Sequence, residues 1–171
     1  MLHRLRRWAH HLRLDTRDAR RALPPAACDR LAQAVAALER DHAIELRLCL
    51  EASLPFSDLW RDAPVRERAL ALFGQLGVWD TAHNSGVLVY VLLADRAIEI
   101  VADRGVSQRL PASAWQVMIA AQRLALQGGG SAEDAFLAAI SALREQLPQE
   151  TATAGLVPAP DNELPDRPHL L

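Results

Sequence analysis

Three short stretches of this 171-residue chain concentrate side chains that can bind ions or move protons: Asp41-His42, Asp80 with His83 and Asn84, and Asp103-Arg104. Asp80, Asn84 and Asp103 carry the oxygen donors that hard cations such as Ca²⁺ and Mg²⁺ take. Two carboxylates and one amide make a weak set, to be completed by backbone carbonyls and water. Arg104 would add a planar fork suited to phosphate. Asp95-Arg96 offers the same pairing elsewhere in the chain. A plainer reading stands beside this one. Asp and Asn favour turns and caps for local reasons, and exposed Asp-Arg neighbours are worth only about 0–1 kcal/mol as ion pairs.

Other chemistry is thinly represented. Gly128-Gly129-Gly130 has neither the Lys-Ser/Thr nor the preceding strand of a phosphate loop. No GxSxG elbow and no HExxH pair occurs. Cys28 on an apolar helix face and Cys49, alternating with apolar residues on a strand, read as packed thiols, with no CxxC that would suggest zinc. His42 and His83 read as loop histidines. Trp60, Trp79 and Trp115 read as packing anchors.

The elements that must position these residues follow from periodicity. Pro24-Pro25 opens a helix over 24–41, with Cys28, Leu31, Val35 and Leu38 on one face. The period then falls to two. Ile44, Leu46, Leu48 and Leu50 alternate with Glu45, Arg47, Cys49 and Glu51, a strand with a polar face near a sheet edge. A helix follows Pro64 and stops at Gly77. Val87 to Leu93 is unbroken apolar sequence, as expected of a central strand. Ala94-Asp95-Arg96 turns the chain, and Ala97 to Ala102 returns. Two helices follow, one opened by Pro111 and one capped by Ser131 with Asp134. This order predicts an α/β fold: a three-layer α/β/α sandwich around a small mixed sheet, built from a β-α-β crossover plus a hairpin. It also sorts the polar residues. Asp41, His42, Asp80, His83, Asn84, Asp103 and Arg104 fall at one rim of the sheet. Glu51, Ser53, Asp95 and Arg96 fall at the other.

Three segments emerge: a basic amphipathic arm (1–21), a domain (22–147) and a proline-rich tail (148–171). The arm holds seven Arg against two acids, a local charge of +5, while the whole chain carries −2. Leu2, Leu5, Trp8, Ala9 and Leu12 recur along it at helical spacing. It could therefore pack on its own domain or lie on an anionic membrane surface. The near-neutral total argues against a nucleic-acid partner. The longest apolar run, Val87 to Ala94, is far short of the roughly 20 residues of a membrane span, and no secretory leader is evident. The expectation is a cytoplasmic protein, at most peripheral to a membrane.

The block from Val78 to Gly105 resembles the TPM domain family, which includes a plant thylakoid-lumen acid phosphatase, a photosystem repair protein and an animal regulator of acetylcholine receptors. The likeness rests on the loop Asp80-Thr81-Ala82-His83-Asn84-Ser85-Gly86, the apolar strand after it, the Asp95-Arg96 turn, and the strand closing at Asp103-Arg104-Gly105. It spans about residues 22–147. Asn162 to Pro168 resembles the tail of a short bacterial subgroup. Ser85 stands where a second Asn is common. The resemblance implies an α/β/α sandwich, divalent-cation binding and, for some members, weak acid phosphatase activity. It would map Ca²⁺ or Mg²⁺ to Asp80, Asn84 and Asp103, and a phosphate to Arg104, Asp95 and Arg96. It assigns no catalytic residue. Three functions stay open: a non-enzymatic module that binds a protein or membrane partner and a cation, a metal-dependent acid phosphatase, and a scaffold with no metal site.

Overall fold

The computed structural model describes residues 2–110, 112–147 and 162–171. The elements are α1 (Leu2–His11), α2 (Thr16–Ala22), α3 (Pro25–Asp41), β1 (Glu45–Glu51), α4 (Phe56–Trp60), α5 (Val65–Gln75), β2 (Gly86–Leu92), β3 (Ala97–Ala102), α6 (Arg104–Ser107), α7 (Ala112–Gln127), α8 (Ala132–Gln146) and β4 (His169–Leu170). The sheet order is β3-β2-β1-β4. β1 runs parallel to β2, with Glu45 opposite Gly86 and Glu51 opposite Leu92. β2 and β3 form the antiparallel hairpin, Val87 opposite Ala102.

Alternation along the strands builds two cores. Leu46, Leu48, Leu50, Val87, Val89, Val91, Ile98 and Ile100 face helices α3, α7 and α8. Cys49, Leu88, Tyr90, Leu92 and Val101 face α5 through Ala69 and Leu72. Each fully buried aliphatic side chain contributes about 1.5–3 kcal/mol, so the register is strongly fixed: slipping by one residue would exchange the two faces. The mixed α/β sheet is as the element order implied. The α5 side is thinner than two helices per face, and is completed by Leu54 and Leu164. The Ser131–Asp134 capping box opens α8 as its spacing suggests.

Three expectations need correction. β1 is no exposed edge: all seven of its residues are buried. Its polar residues face the thinner layer and each has a built partner. The Glu45 carboxylate accepts from the backbone N–H groups of Glu163 and Leu164, both at 3.1 Å. Arg47 donates to the carbonyls of Pro165 (2.6 Å) and Arg167 (2.8 Å). Glu51 accepts from Arg68 and from the Tyr90 hydroxyl.

Those bonds carry the second correction, to the tail. Residues 148–161 of that segment lie outside the described residues. Residues 162–171 are part of the fold: β4 pairs parallel with β1, and Leu164 and Pro168 are buried. Before β4, the carbonyls of Pro165 and Arg167 have no ladder partner and are satisfied by the buried Arg47. Third, Trp60 and Trp79 are 66% and 56% exposed. Of the three tryptophans read as anchors, only Trp115 packs against the core.

Candidate functional site

The rim expected from the topology is assembled by backbone hydrogen bonds. Glu45 N–H donates to the Ser85 carbonyl (3.0 Å), Asp103 N–H to that of Gly86 (2.8 Å), and Gly105 N–H to that of Asn84 (3.0 Å). The loop before β2, the start of β1 and the end of β3 are thus tied together. Two glycines allow the approach. A Cβ on Gly86 would lie 1.8 Å from the Val78 carbonyl oxygen, and one on Gly105 would lie 2.6 Å from those of His83 and Asn84. Asn84 occupies the left-handed region, φ 52°, which Asn tolerates better than most residues. Within the loop, Ser85 N–H donates to Thr81 Oγ1 at 2.9 Å. Glu163 reaches across from the C-terminal segment and accepts from Ala82 N–H.

The side chains divide by task. Asp103 caps α6, its Oδ1 accepting from Arg104 N–H at 2.6 Å. Asp80, His83, Asn84 and Arg104 are exposed. Asp41 points to Arg144 of α8 at 3.8 Å, and His42 is buried beneath the rim. The Ser85 hydroxyl is buried with no hydrogen-bond partner among the described residues. These donors are oxygen-rich and fit a hard cation better than a thiophilic one. Among the described residues no three His, Cys, Asp or Glu side chains gather as a ligand cluster.

One acidic group near the rim was not singled out in the sequence. Glu39 of α3 accepts from Leu46 N–H at 2.8 Å. Burial, helped by the charges of Glu45 and Asp166, pushes its carboxyl up to about 8. Burial also raises Glu45. The sequence places Glu39 in the last turn of a helix, which does not reveal burial.

Asp95 and Arg96 lie at the opposite end of the sheet, so they do not join Arg104. There Leu93 N–H donates to the Glu51 carbonyl and Ala94 N–H to that of Ala52. The Asp95 carboxylate is already engaged. Arg7 Nη2 meets its Oδ2 at 2.9 Å, Arg7 Nε lies 3.1 Å from the same oxygen, and His11 Nε2 meets Oδ1 at 3.0 Å. Leu54 N–H donates to His11 Nδ1 at 3.0 Å, which leaves His11 Nε2–H to donate to Asp95. Burial works to raise Asp95, but His11 and Arg7 outweigh it and hold the carboxyl below its usual range. Arg7 also reaches Asp62 and the Ala63 carbonyl, beside an open cleft of ≈ 670 Å³. The arm therefore packs on its own domain. Arg7 and His11 stand four residues apart, one helical turn, but nothing in the sequence names Asp95 as their shared partner.

A model of the TPM domain matches residues 16–146. The chain belongs to the TPM domain family. Two solved structures share the TPM fold. One is the BA42 protein of the psychrophilic bacterium Bizionia argentinensis, 23% identical, covering 86% of this chain and 94% of its own, with a TM-score of 0.64. The other is the N-terminal domain of a protein from P. gingivalis, 22% identical, covering 75% of this chain and 83% of its own, with a TM-score of 0.57. No curated protein matches the chain in sequence. Among the described residues no helix is long and apolar enough to cross a membrane.

Proposed function

We propose that this TPM-domain protein is a non-enzymatic binding module whose three-loop rim takes a divalent cation and, through it, a partner. The observation that carries the reading is the backbone convergence of Ser85, Gly86 and Asn84 on Glu45, Asp103 and Gly105. It fixes a rim from which Asp80, Asn84 and Arg104 face solvent. Ser85, in the same loop, has a buried hydroxyl with no hydrogen-bond partner among the described residues, a further oxygen near the loop donors in sequence. Ca²⁺ takes six to eight oxygens. Asp80, Asn84 and Asp103 supply a minority of these, so the cation is held weakly until carboxylate or phosphate oxygens of a partner complete its shell. Arg104 would favour an anionic partner of that kind.

The test is a Ca²⁺ and Mg²⁺ titration of ¹⁵N-labelled protein followed by NMR. Saturable shifts centred on Asp80–Asn84 and Asp103–Gly105, abolished by Asp80→Asn with Asp103→Asn, are the expected result. Absence of saturable shifts up to about 10 mM, beyond the weakest extracellular calcium modules, overturns it. Hydrolysis of a phosphomonoester that Asp103→Asn abolishes would replace the binding reading with a metal-dependent phosphatase.

A further inference from the structure

The face of α1 next to its Asp95 anchor carries an aromatic cluster. Trp8 meets Phe56 edge-on at a centroid distance of 5.6 Å and Trp60 at 5.9 Å, and Phe56 and Trp60 lie 6.0 Å apart. Such contacts usually belong to a core. Here Phe56 is 64% and Trp60 66% exposed, and Leu12, one turn beyond Trp8, is 72% exposed. Large apolar side chains gathered at one surface mark an interaction site, unlike the same residues scattered singly.

The charge of the segment that carries Trp8 and Leu12 selects the occupant. Residues 1–21 carry +5 and the remainder of the chain −7. Arg13 follows Leu12 directly, and Arg13, Arg17, Arg20 and Arg21 are all exposed. An anionic surface would attract the arm and repel the body, turning the molecule with α1 foremost, and α1 brings Phe56 and Trp60 with it through Trp8. Trp and Phe beside Arg are the residues that settle at the headgroup level of a bilayer. The apolar area is too small to anchor alone, which is the situation in which basic residues decide binding. Arg7 and His11 already hold α1 against the domain, so docking requires no unfolding of the arm.

We propose that Trp8, Leu12, Phe56 and Trp60, together with the exposed Arg13, Arg17, Arg20 and Arg21 of the basic arm, form a docking face for an anionic lipid surface. This face is separate from the cation rim and does not depend on it.

The experiment is co-sedimentation of the full chain with vesicles of phosphatidylcholine, with and without phosphatidylglycerol. Tryptophan quenching by brominated lipid is read in parallel. The protein should pellet with the anionic vesicles only, release at high salt, and show quenched emission. Phe56→Ala/Trp60→Ala should weaken binding at least about tenfold, from the apolar area removed. Arg13→Gln/Arg17→Gln should weaken it several-fold while leaving unfolding unchanged. No pelleting with anionic vesicles, or no quenching of the wild-type protein, overturns the proposal. So does pelleting that the aromatic variant leaves intact. Self-association that the same variant abolishes, without vesicle binding, would make the face an interface between copies and would equally overturn it.

Discussion

Arg7 and Asp95, 88 positions apart, meet through two guanidinium nitrogens: Nη2 lies 2.9 Å and Nε 3.1 Å from Asp95 Oδ2. Both side chains are largely buried, at 14% and 16% exposure. This contact, with His11 beside it, sets the position of α1 and hence of Trp8. Basic sequence at an N-terminus would ordinarily be read as a solvated arm; here one arginine is an anchor and others are left at the surface.

Acid should release that anchor. Asp95 has a folded pKa below its unfolded value, so its contribution is present above the unfolded pKa and lost as pH falls through the folded one. The window lies below about pH 4. Trp8 sits one residue from Arg7, so tryptophan emission should report the change in an acid titration before the core unfolds. Asp95→Asn should remove this early step and lower stability near neutrality by about 2 kcal/mol, less than for a fully buried pair. An unchanged acid titration in that variant would show that the pair does not hold α1.

The rim glycines should be intolerant of a methyl group. In Gly86→Ala the new Cβ must displace the Val78 carbonyl, and in Gly105→Ala those of His83 and Asn84. Because backbone cannot rotate away as a side chain can, each should cost about 3 kcal/mol or more in urea unfolding. Gly74 is the control. It lies inside α5 with nothing within 4 Å of an added Cβ, so Gly74→Ala should stabilise by about 0.5–1 kcal/mol. Equal effects at all three positions would refute the close approach at the rim.

These contrasts show where the sequence could be read. The hairpin at Asp95-Arg96 and the Gly128–Gly130 break follow from local chemistry, and the two rims follow from strand direction alone. The buried state of Glu45, Arg47 and Glu51 does not. A period-two alternation of charged and apolar residues has the same appearance whether the charged face meets water or meets Pro165, Arg167 and Arg68. Only the return of residues 162–171 beside β1 decides it, and a two-residue strand among prolines carries no periodicity. The aromatic cluster was hidden for a related reason: Trp8, Phe56 and Trp60 are joined through space, and α4 is too short to show a repeat.

Glu39 gives the chain an alkaline weakness. Its carboxyl is raised from 4.5 to about 8 by burial, with Glu45 and Asp166 adding to it. The folded state therefore holds a proton that the unfolded state releases. Its contribution is fully present below about pH 4.5 and lost as pH rises through about 8. Stability measured by urea unfolding should decline across that interval. Glu39→Gln keeps an oxygen acceptor without a charge, so it should flatten the decline. A variant with the wild-type slope would place the alkaline loss elsewhere.

The buried Glu51 should be more sensitive to loss of its cation than to loss of its hydroxyl partner. Arg68 Nη2 lies 2.7 Å from Oε1 and Nε 3.0 Å from Oε2, while the Tyr90 hydroxyl donates to Oε2 at 2.6 Å. Burial first, and then the Glu51 charge, hold the Tyr90 phenol and the Cys49 thiol in their protonated forms, the thiol being pushed up to about 12. Tyr90→Phe removes one charge-assisted hydrogen bond and should cost about 1.5–3 kcal/mol. Arg68→Met leaves a carboxylate buried without a counter-charge and should cost about 3–5 kcal/mol. Adding Glu51→Met to Arg68→Met removes that uncompensated charge, so the double variant should recover much of the loss in a urea double-mutant cycle. Additive losses in that cycle would mean that Glu51 is stabilised by the surrounding backbone and not by Arg68.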